Sequence, residues 1–190
     1  MHSYYVNDIV PKGKSMPKYI FIFESPHKTE IETKIPVSGA TGKYILNKIG
    51  LSNENFSNFG AYVLDKQNAA ILNVSNFPLQ KIKSDQRTMH KLEKLKFIRK
   101  NYKSLLKHRD CSINQMEEKL IKHLNNRLNT ICDYNNKATI IICGKFAETY
   151  FQKAMPNTKY YYMPHPSRNG WSNLCDYQKK LLLELKDELS

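Results

Sequence analysis

Four short apolar runs, three of which are followed by polar tips, are the sequence feature that most constrains the fold. They occupy residues 18–23, 69–72, 138–143 and 160–163. Each run is short and almost entirely apolar, with Lys18 and Thr139 as the exceptions, which is typical of strands in a parallel sheet that is covered on both faces. The longer segments between the runs carry helical patterns. The chain therefore predicts an α/β fold in which strands alternate with helices.

The segments between the predicted strands indicate where the helices lie. Apolar residues recur at helical spacing over residues 42–49, in two stripes within 84–129, and over 176–189, and a further helix is predicted directly after Gly144. Residues 62–64 indicate another extended piece, followed by a turn at 65–68. We expect one domain over residues 1–190. Its architecture is a three-layer α/β/α sandwich with a mainly parallel central sheet and a basic helical segment at about 84–129.

Charge and cysteine content restrict the partners and the compartment. The chain has a formal net charge of +13, most of which comes from the basic helical segment. A polyanionic partner such as nucleic acid fits this charge, and a face of solvated lysines on core helices is the alternative. The four cysteines form no CxxC pair, so we expect reduced thiols. Without an apolar leader or a membrane-length run, the sequence favours a cytoplasmic monomer with no membrane partner.

Polar tips follow three of the predicted strands, and these tips contain the candidate site residues. Glu24, Ser25, Pro26 and His27 follow the first strand, Asn73 ends the second, and His165 follows the last. The carboxyl ends of parallel strands meet at one edge of the sheet, where α/β proteins bind their ligands. An amide, an imidazole and a glycine-containing loop at that edge suit a planar polar ligand such as a nucleobase. A strand-terminal turn at Asn73 and a stiff Pro-His-Pro loop are the structural alternatives.

Four segments in the same order resemble the motifs of the uracil-DNA glycosylase superfamily. Residues 24–27 with 36–42 resemble its first motif, in the form found in the thermostable iron–sulfur branch (family 4). Residues 71–74 are similar to its strand ending in a base-reading Asn, and 141–144 to its late strand entering a helix at Gly. Residues 165–167 match its His-Pro-Ser loop.

The resemblance implies a three-layer α/β/α domain that flips a base out of DNA and cleaves its glycosidic bond without a metal or another cofactor. Such an enzyme belongs to DNA repair. Carried over by motif, the expected catalytic residues are Glu24, which helps to place water, Asn73, which reads the base, and His165, which stabilises the leaving base. The remaining residues form two sets: for base binding Ser25, Pro26, His27, Val37 and Gly39 beside Asn73; for DNA binding Gly42, Lys43, Ser167, Arg168 and Trp171.

The chain departs from the family pattern at positions that bear on catalysis. Ser25 stands where the commonest branch has its catalytic Asp, and Val37 stands where a Phe stacks on the base. Phe23, His27 or Tyr44 would have to provide that stacking. No cysteine precedes Lys18, so no iron–sulfur cluster is expected. Two interpretations follow: a glycosylase that removes uracil or another deaminated base from single- or double-stranded DNA, or a catalytically inactive nucleic-acid- or nucleotide-binding protein on the same fold.

Overall fold

The computed structural model describes residues 4–12, 16–51, 55–80, 86–103, 110–134 and 137–189. The predicted basic helical segment falls partly outside these ranges, at residues 84–85 and 104–109. In chain order the elements are β1 (Tyr19–Phe23), α1 (Lys28–Thr33), α2 (Ala40–Lys48), α3 (Phe59–Lys66), β2 (Ala69–Asn73), α4 (Gln86–Asn101), α5 (Cys111–Tyr134), β3 (Thr139–Cys143), α6 (Lys145–Ala154), β4 (Tyr161–Met163) and α7 (Asp176–Leu189). A short 3-10 turn, Ser167–Asn169, lies between β4 and α7.

The central sheet confirms the α/β prediction. Its four strands are parallel and lie in the order β2-β1-β3-β4. Successive residues of a strand point to opposite faces, and two apolar clusters cover the two faces. Phe21 and Ile71 pack with residues of α2, α3 and α7 on one face. Ile20 and Leu72 pack with residues of α4, α5 and α6 on the other, which gives three layers.

The extended segment predicted at residues 62–64 is wrong, because these residues belong to helix α3. Asn58 caps this helix, since its side-chain oxygen accepts a hydrogen bond from the Ala61 N–H at 2.9 Å. Phe59, Tyr62 and Val63 are buried at spacings of three and four residues. The cap and the spacing were both present in the sequence, but the apolar residues 62–64 were interpreted as a strand. The turn predicted at 65–68 is the end of this helix, where Gln67 adopts a left-handed conformation.

The N-terminal segment is fixed to the sheet beside β2. Ile9 forms an antiparallel bridge with Ile71, and its N–H donates to the Ile71 carbonyl at 2.9 Å. This contact brings the neighbouring Asp8 to helix α5, where it meets Arg127. None of the described helices is both long enough and apolar enough to cross a lipid bilayer.

Candidate functional site

A cavity of about 280 Å³ lies at the carboxyl edge of the sheet. We call it the Asn73 cavity. It brings together residues from the loops after β1 and β4 with the last residue of β2, as expected for strand ends that share an edge. Its volume is at the small end of ligand pockets, which usually measure about 300–1,000 Å³. The residues that line it are Phe23, Ser25, His27, Thr29, Glu30, Val37, Gly39, Ala40, Thr41, Asn73, His165 and Ser167.

Asn73 lines this cavity and carries an unsatisfied polar atom. The residue is 2% exposed, and its side-chain oxygen Oδ1 is buried with no hydrogen-bond partner among the described residues. Leaving a buried acceptor unpaired costs about 1–3 kcal/mol. Such groups are uncommon in folded proteins, and Asn73 is the one that lines this cavity, since the other two among the described residues, Asn68 and Asn76, do not. Asn73 can therefore accept a hydrogen bond from a ligand N–H and donate one from its amide nitrogen.

Arg127 of helix α5 holds the backbone at Asn73. Its Nη2 donates to the carbonyl oxygens of Asn73 at 2.8 Å and Val74 at 3.0 Å. Its Nη1 donates to both carboxylate oxygens of Asp8, at 2.8 and 2.9 Å. The ion pair is largely buried, with side-chain exposures of 14% and 11%. Sequence reasoning missed both residues, because Arg127 looked like one more cation of the basic helical segment.

His165 lies against the cavity as a neutral ring with a defined tautomer. Its Nδ1 is 2.8 Å from the Ser167 hydroxyl and accepts the Ser167 backbone N–H at 3.2 Å. A nitrogen that accepts an N–H carries no proton, so in the neutral ring the proton is on Nε2. Burial lowers the pKa of His165, the charges of His27 and Arg99 lower it further, and Glu24 opposes them. His165 therefore offers a neutral N–H donor.

Gly144 fixes the position of this histidine. Its φ of +101° is a backbone conformation that favours glycine, and a Cβ there would lie 3.0 Å from the Cβ of His165. Its N–H donates to the Met163 carbonyl at 2.9 Å, which ties the end of β3 to the end of β4. Gly144 was predicted at a strand–helix junction. Because it has no Cβ, it also allows the His165 loop to approach the end of β3 closely.

We expect His165 to titrate below its ordinary pKa of 6.5. The folded state favours the neutral ring, so acidification below pH 6.5 favours unfolding, and this loss of stability is complete once the pH has fallen below the folded-state pKa. The ring carbon and proton chemical shifts, followed by NMR against pH, measure the midpoint, and the His165→Gln variant identifies the resonance. A midpoint at or above 6.5 contradicts the burial argument.

Glu30 of helix α1 organises the loop on the other side of the cavity. The residue is 8% exposed, and its two carboxylate oxygens accept the backbone N–H groups of His27, at 2.7 Å, and Val37. Burial raises the pKa of Glu30, and the two N–H donors act in the opposite direction. Val37 is held at a φ of +57°, which is uncommon for a β-branched residue. A Glu three residues after the cap is a known helix-start signal, so Glu30 could have been found from the sequence.

Gly42, expected at the DNA interface, is instead buried in helix α2. A Cβ at this position would lie 1.8 Å from the carbonyl oxygen of Val37. A Gly42→Ala substitution gains about 1 kcal/mol in helix propensity. The clash is with backbone and costs more, so we expect a net loss of about 1–3 kcal/mol in the free energy of unfolding.

Chemical denaturation of the Gly42→Ala variant measures that loss. Asn47→Ala in the same helix is the matched control, since Asn47 is exposed and the change should gain a few tenths of a kcal/mol. Equal gains for both variants would show that the loop at Val37 moves away at no cost.

The other residues expected to contact DNA or the base differ in their exposure to solvent. Lys43, Ser167 and Arg168 are exposed, and Ser167 also lines the Asn73 cavity. Trp171, also expected to contact DNA, is only 3% exposed. Its Nε1 donates to the Pro164 carbonyl at 2.8 Å, and its ring packs in the apolar cluster that α7 covers. Pro26 is buried and does not line the cavity.

Glu24 lies in a second, larger cavity of about 490 Å³ beside the first. We call it the basic cavity, because four cationic side chains line it against the one carboxylate among its described residues. The Glu24 carboxylate accepts a hydrogen bond from Nε of Arg99. His165 lines both cavities. The described lining residues are Glu24, Lys96, Arg99, Lys100, Tyr102, Cys143, Gly144, Lys145, Phe146, Ala147 and His165.

Fold and site together define a three-layer α/β/α protein with two adjoining cavities at the carboxyl ends of its strands. One of these cavities is small and is lined by Asn73, whose amide oxygen has no partner among the described residues, and the other is basic. Neither the protein-family models nor the curated proteins provide a match for this chain. Its function is therefore argued from the residues and their geometry.

Proposed function

We propose that this protein is a uracil-DNA glycosylase-like hydrolase that removes uracil or another deaminated base from DNA. The observation that carries the proposal is the buried, unpaired Oδ1 of Asn73 in a cavity that His165 also lines. An Asn side chain combines an acceptor and a donor in one plane, which matches the adjacent N–H and C=O groups of a uracil edge. The base reaches the cavity only when it is turned out of the stack, so the substrate is a flipped nucleotide.

Two of the ring-bearing residues of the cavity are candidates for stacking on the base. Phe23 and His27 line the cavity, while Tyr44, the third candidate for stacking, is not among its lining residues. These two rings provide the aromatic surface that Val37 lacks. The ring of His165 stands edge-on to Phe23, with centroids 6.5 Å apart.

His165 stabilises the leaving base in this mechanism. Cleavage breaks the bond between the sugar C1′ and the base nitrogen, and the base leaves with the electron pair. The neutral Nε2–H of His165 donates a hydrogen bond to the oxygen on which the negative charge collects. Water then adds its hydroxyl group to C1′, and the remaining proton goes to the departed base. Glu24 is the carboxylate that orients this water, from the cavity that it shares with His165.

Oligonucleotides that carry uracil, hypoxanthine or xanthine, as single and double strands, test the activity. After incubation, alkaline cleavage at abasic sites should release a shorter strand for at least one of these bases. If no abasic product forms at high protein concentration with any of them, the hydrolase proposal is lost. The His165→Gln variant, which keeps a donor but not the imidazole, should be slower than the unaltered protein with the same substrate.

A catalytically inactive nucleic-acid- or nucleotide-binding protein on the same fold is the second candidate. Two observations favour it. The first is that Glu24 lies outside the Asn73 cavity and accepts a hydrogen bond from Arg99. In addition, the Ser25 hydroxyl, at the position of the catalytic Asp of related enzymes, accepts the backbone N–H of Leu79 at 3.4 Å. A binding protein of this kind should retain uracil-containing strands without releasing the base, which the same incubation detects.

A further inference from the structure

The basic cavity has the features of a phosphate site that none of the sequence motifs included. Lys96, Arg99 and Lys100 of helix α4 lie three and four residues apart, so they share one face of that helix. All three line the basic cavity, together with Lys145 at the start of helix α6. Two helices on the same face of the sheet thus direct positive charge to one concave surface beside His165.

The charges in this cavity are only partly neutralised by the described part of the protein. Lys145 pairs with Glu148 at 2.7 Å, and Arg99 uses its Nε for Glu24. Neither Lys96 nor Lys100 forms an ion pair with a residue in the described ranges. Like charges four residues apart on a helix repel each other, and an anion bound between them removes that repulsion. A guanidinium group also has N–H donors beyond Nε for such an anion.

We propose that the basic cavity binds a phosphate group of the strand whose base occupies the Asn73 cavity. The inference deepens the proposed function and rests on it for the identity of the base. Its geometric basis is that the two cavities meet at His165 and that consecutive residues, Glu24 and Ser25, line one cavity each. A nucleotide has the same arrangement, with a neutral base and an anionic phosphate joined by one sugar. The positive end of the α6 dipole adds to the attraction.

Binding of a short fluorescent oligothymidylate to a double variant tests the proposal. Lys96→Gln with Lys100→Gln should weaken binding by about tenfold or more at low salt. It should also reduce the slope of log K against log salt by about 1 to 2, measured between about 50 and 200 mM. The matched control removes two exposed lysines that line neither cavity, Lys122→Gln with Lys180→Gln. If both double variants lose the same affinity and slope, the lysines attract the strand through the overall charge of the protein rather than at a defined site, and the proposal is overturned.

Two further measurements separate the possible outcomes. Calorimetry with thymidine monophosphate and with thymidine shows whether a free nucleotide uses the cavity. A loss of monophosphate binding in Lys96→Gln/Lys100→Gln, with strand binding unchanged, assigns the phosphate to free nucleotides rather than to a strand and overturns the strand proposal. If the strand effect persists but no base is ever released, the phosphate site stands and the glycosylase function fails.

Discussion

Replacing Asn73 by alanine should reduce the rate of base release by about 100- to 1,000-fold, the usual effect of losing one preorganised polar group at a reacting site. The buried Oδ1 has no partner among the described residues, so in the proposed mechanism it accepts a hydrogen bond from the base. Strand affinity should change little, because the proposed phosphate site lies in the other cavity. The measurements are single-turnover release of uracil and oligonucleotide binding by the same variant.

Asn47→Ala is the control for the Asn73 experiment, since Asn47 is exposed on helix α2 and does not line either cavity. It should release the base at the unaltered rate. If Asn73→Ala released uracil as fast as this control, the amide would not read the base and the proposed mechanism would have to be abandoned. Equal thermal midpoints for the two variants exclude a loss of folding as the cause.

Replacing Arg127 by methionine should lower the free energy of unfolding by about 3–5 kcal/mol, as is typical when one partner of a buried ion pair is removed. The substitution leaves Asp8 without its guanidinium, although the Asn76 amide still donates to it at 2.9 Å. The carbonyls of Asn73 and Val74 lose a donor as well. Urea denaturation measures the change, and a reduced rate of base release should accompany it because Asn73 is no longer held.

A control variant and a double variant show whether the loss comes from the buried ion pair. Lys122→Met removes an exposed cation from the same helix and should change the free energy of unfolding by less than about 0.5 kcal/mol. Adding Asp8→Asn to Arg127→Met should recover part of the loss, because the unpaired buried charge is then absent. If Arg127→Met were as mild as Lys122→Met, the ion pair would not hold β2 in place.

The strands were predictable because a fully buried parallel strand has no polar face to preserve. The runs over 18–23 and 138–143 are apolar at every central position, and the structure places both at the centre of the sheet. Helix α3 was missed for the related reason that a short buried helix gives the same apolar letters as a strand. Only its cap at Asn58 and the spacing of Phe59, Tyr62 and Val63 distinguish it.

The site was predictable where a strand end determines the position of the residue. Asn73 and His165 meet in one cavity because parallel strands carry their carboxyl ends to one edge. Residues whose position depends on tertiary contacts were not predictable in this way. Arg127 lies 54 residues after Asn73 in the sequence and contacts it from helix α5. Glu24 accepts a hydrogen bond from Arg99 of helix α4. Trp171 was assigned to DNA binding from its loop motif, which does not show that the residue is buried beneath helix α7.

The imidazole wall between the two cavities makes their occupancies interdependent. A phosphate bound at the proposed site would stabilise the protonated ring and raise the pKa of His165, opposing burial and the charges of His27 and Arg99. By thermodynamic reciprocity, protonation of the ring then tightens phosphate binding by the same factor. The pKa of His165 should therefore differ between the free protein and the protein with phosphate bound in the basic cavity.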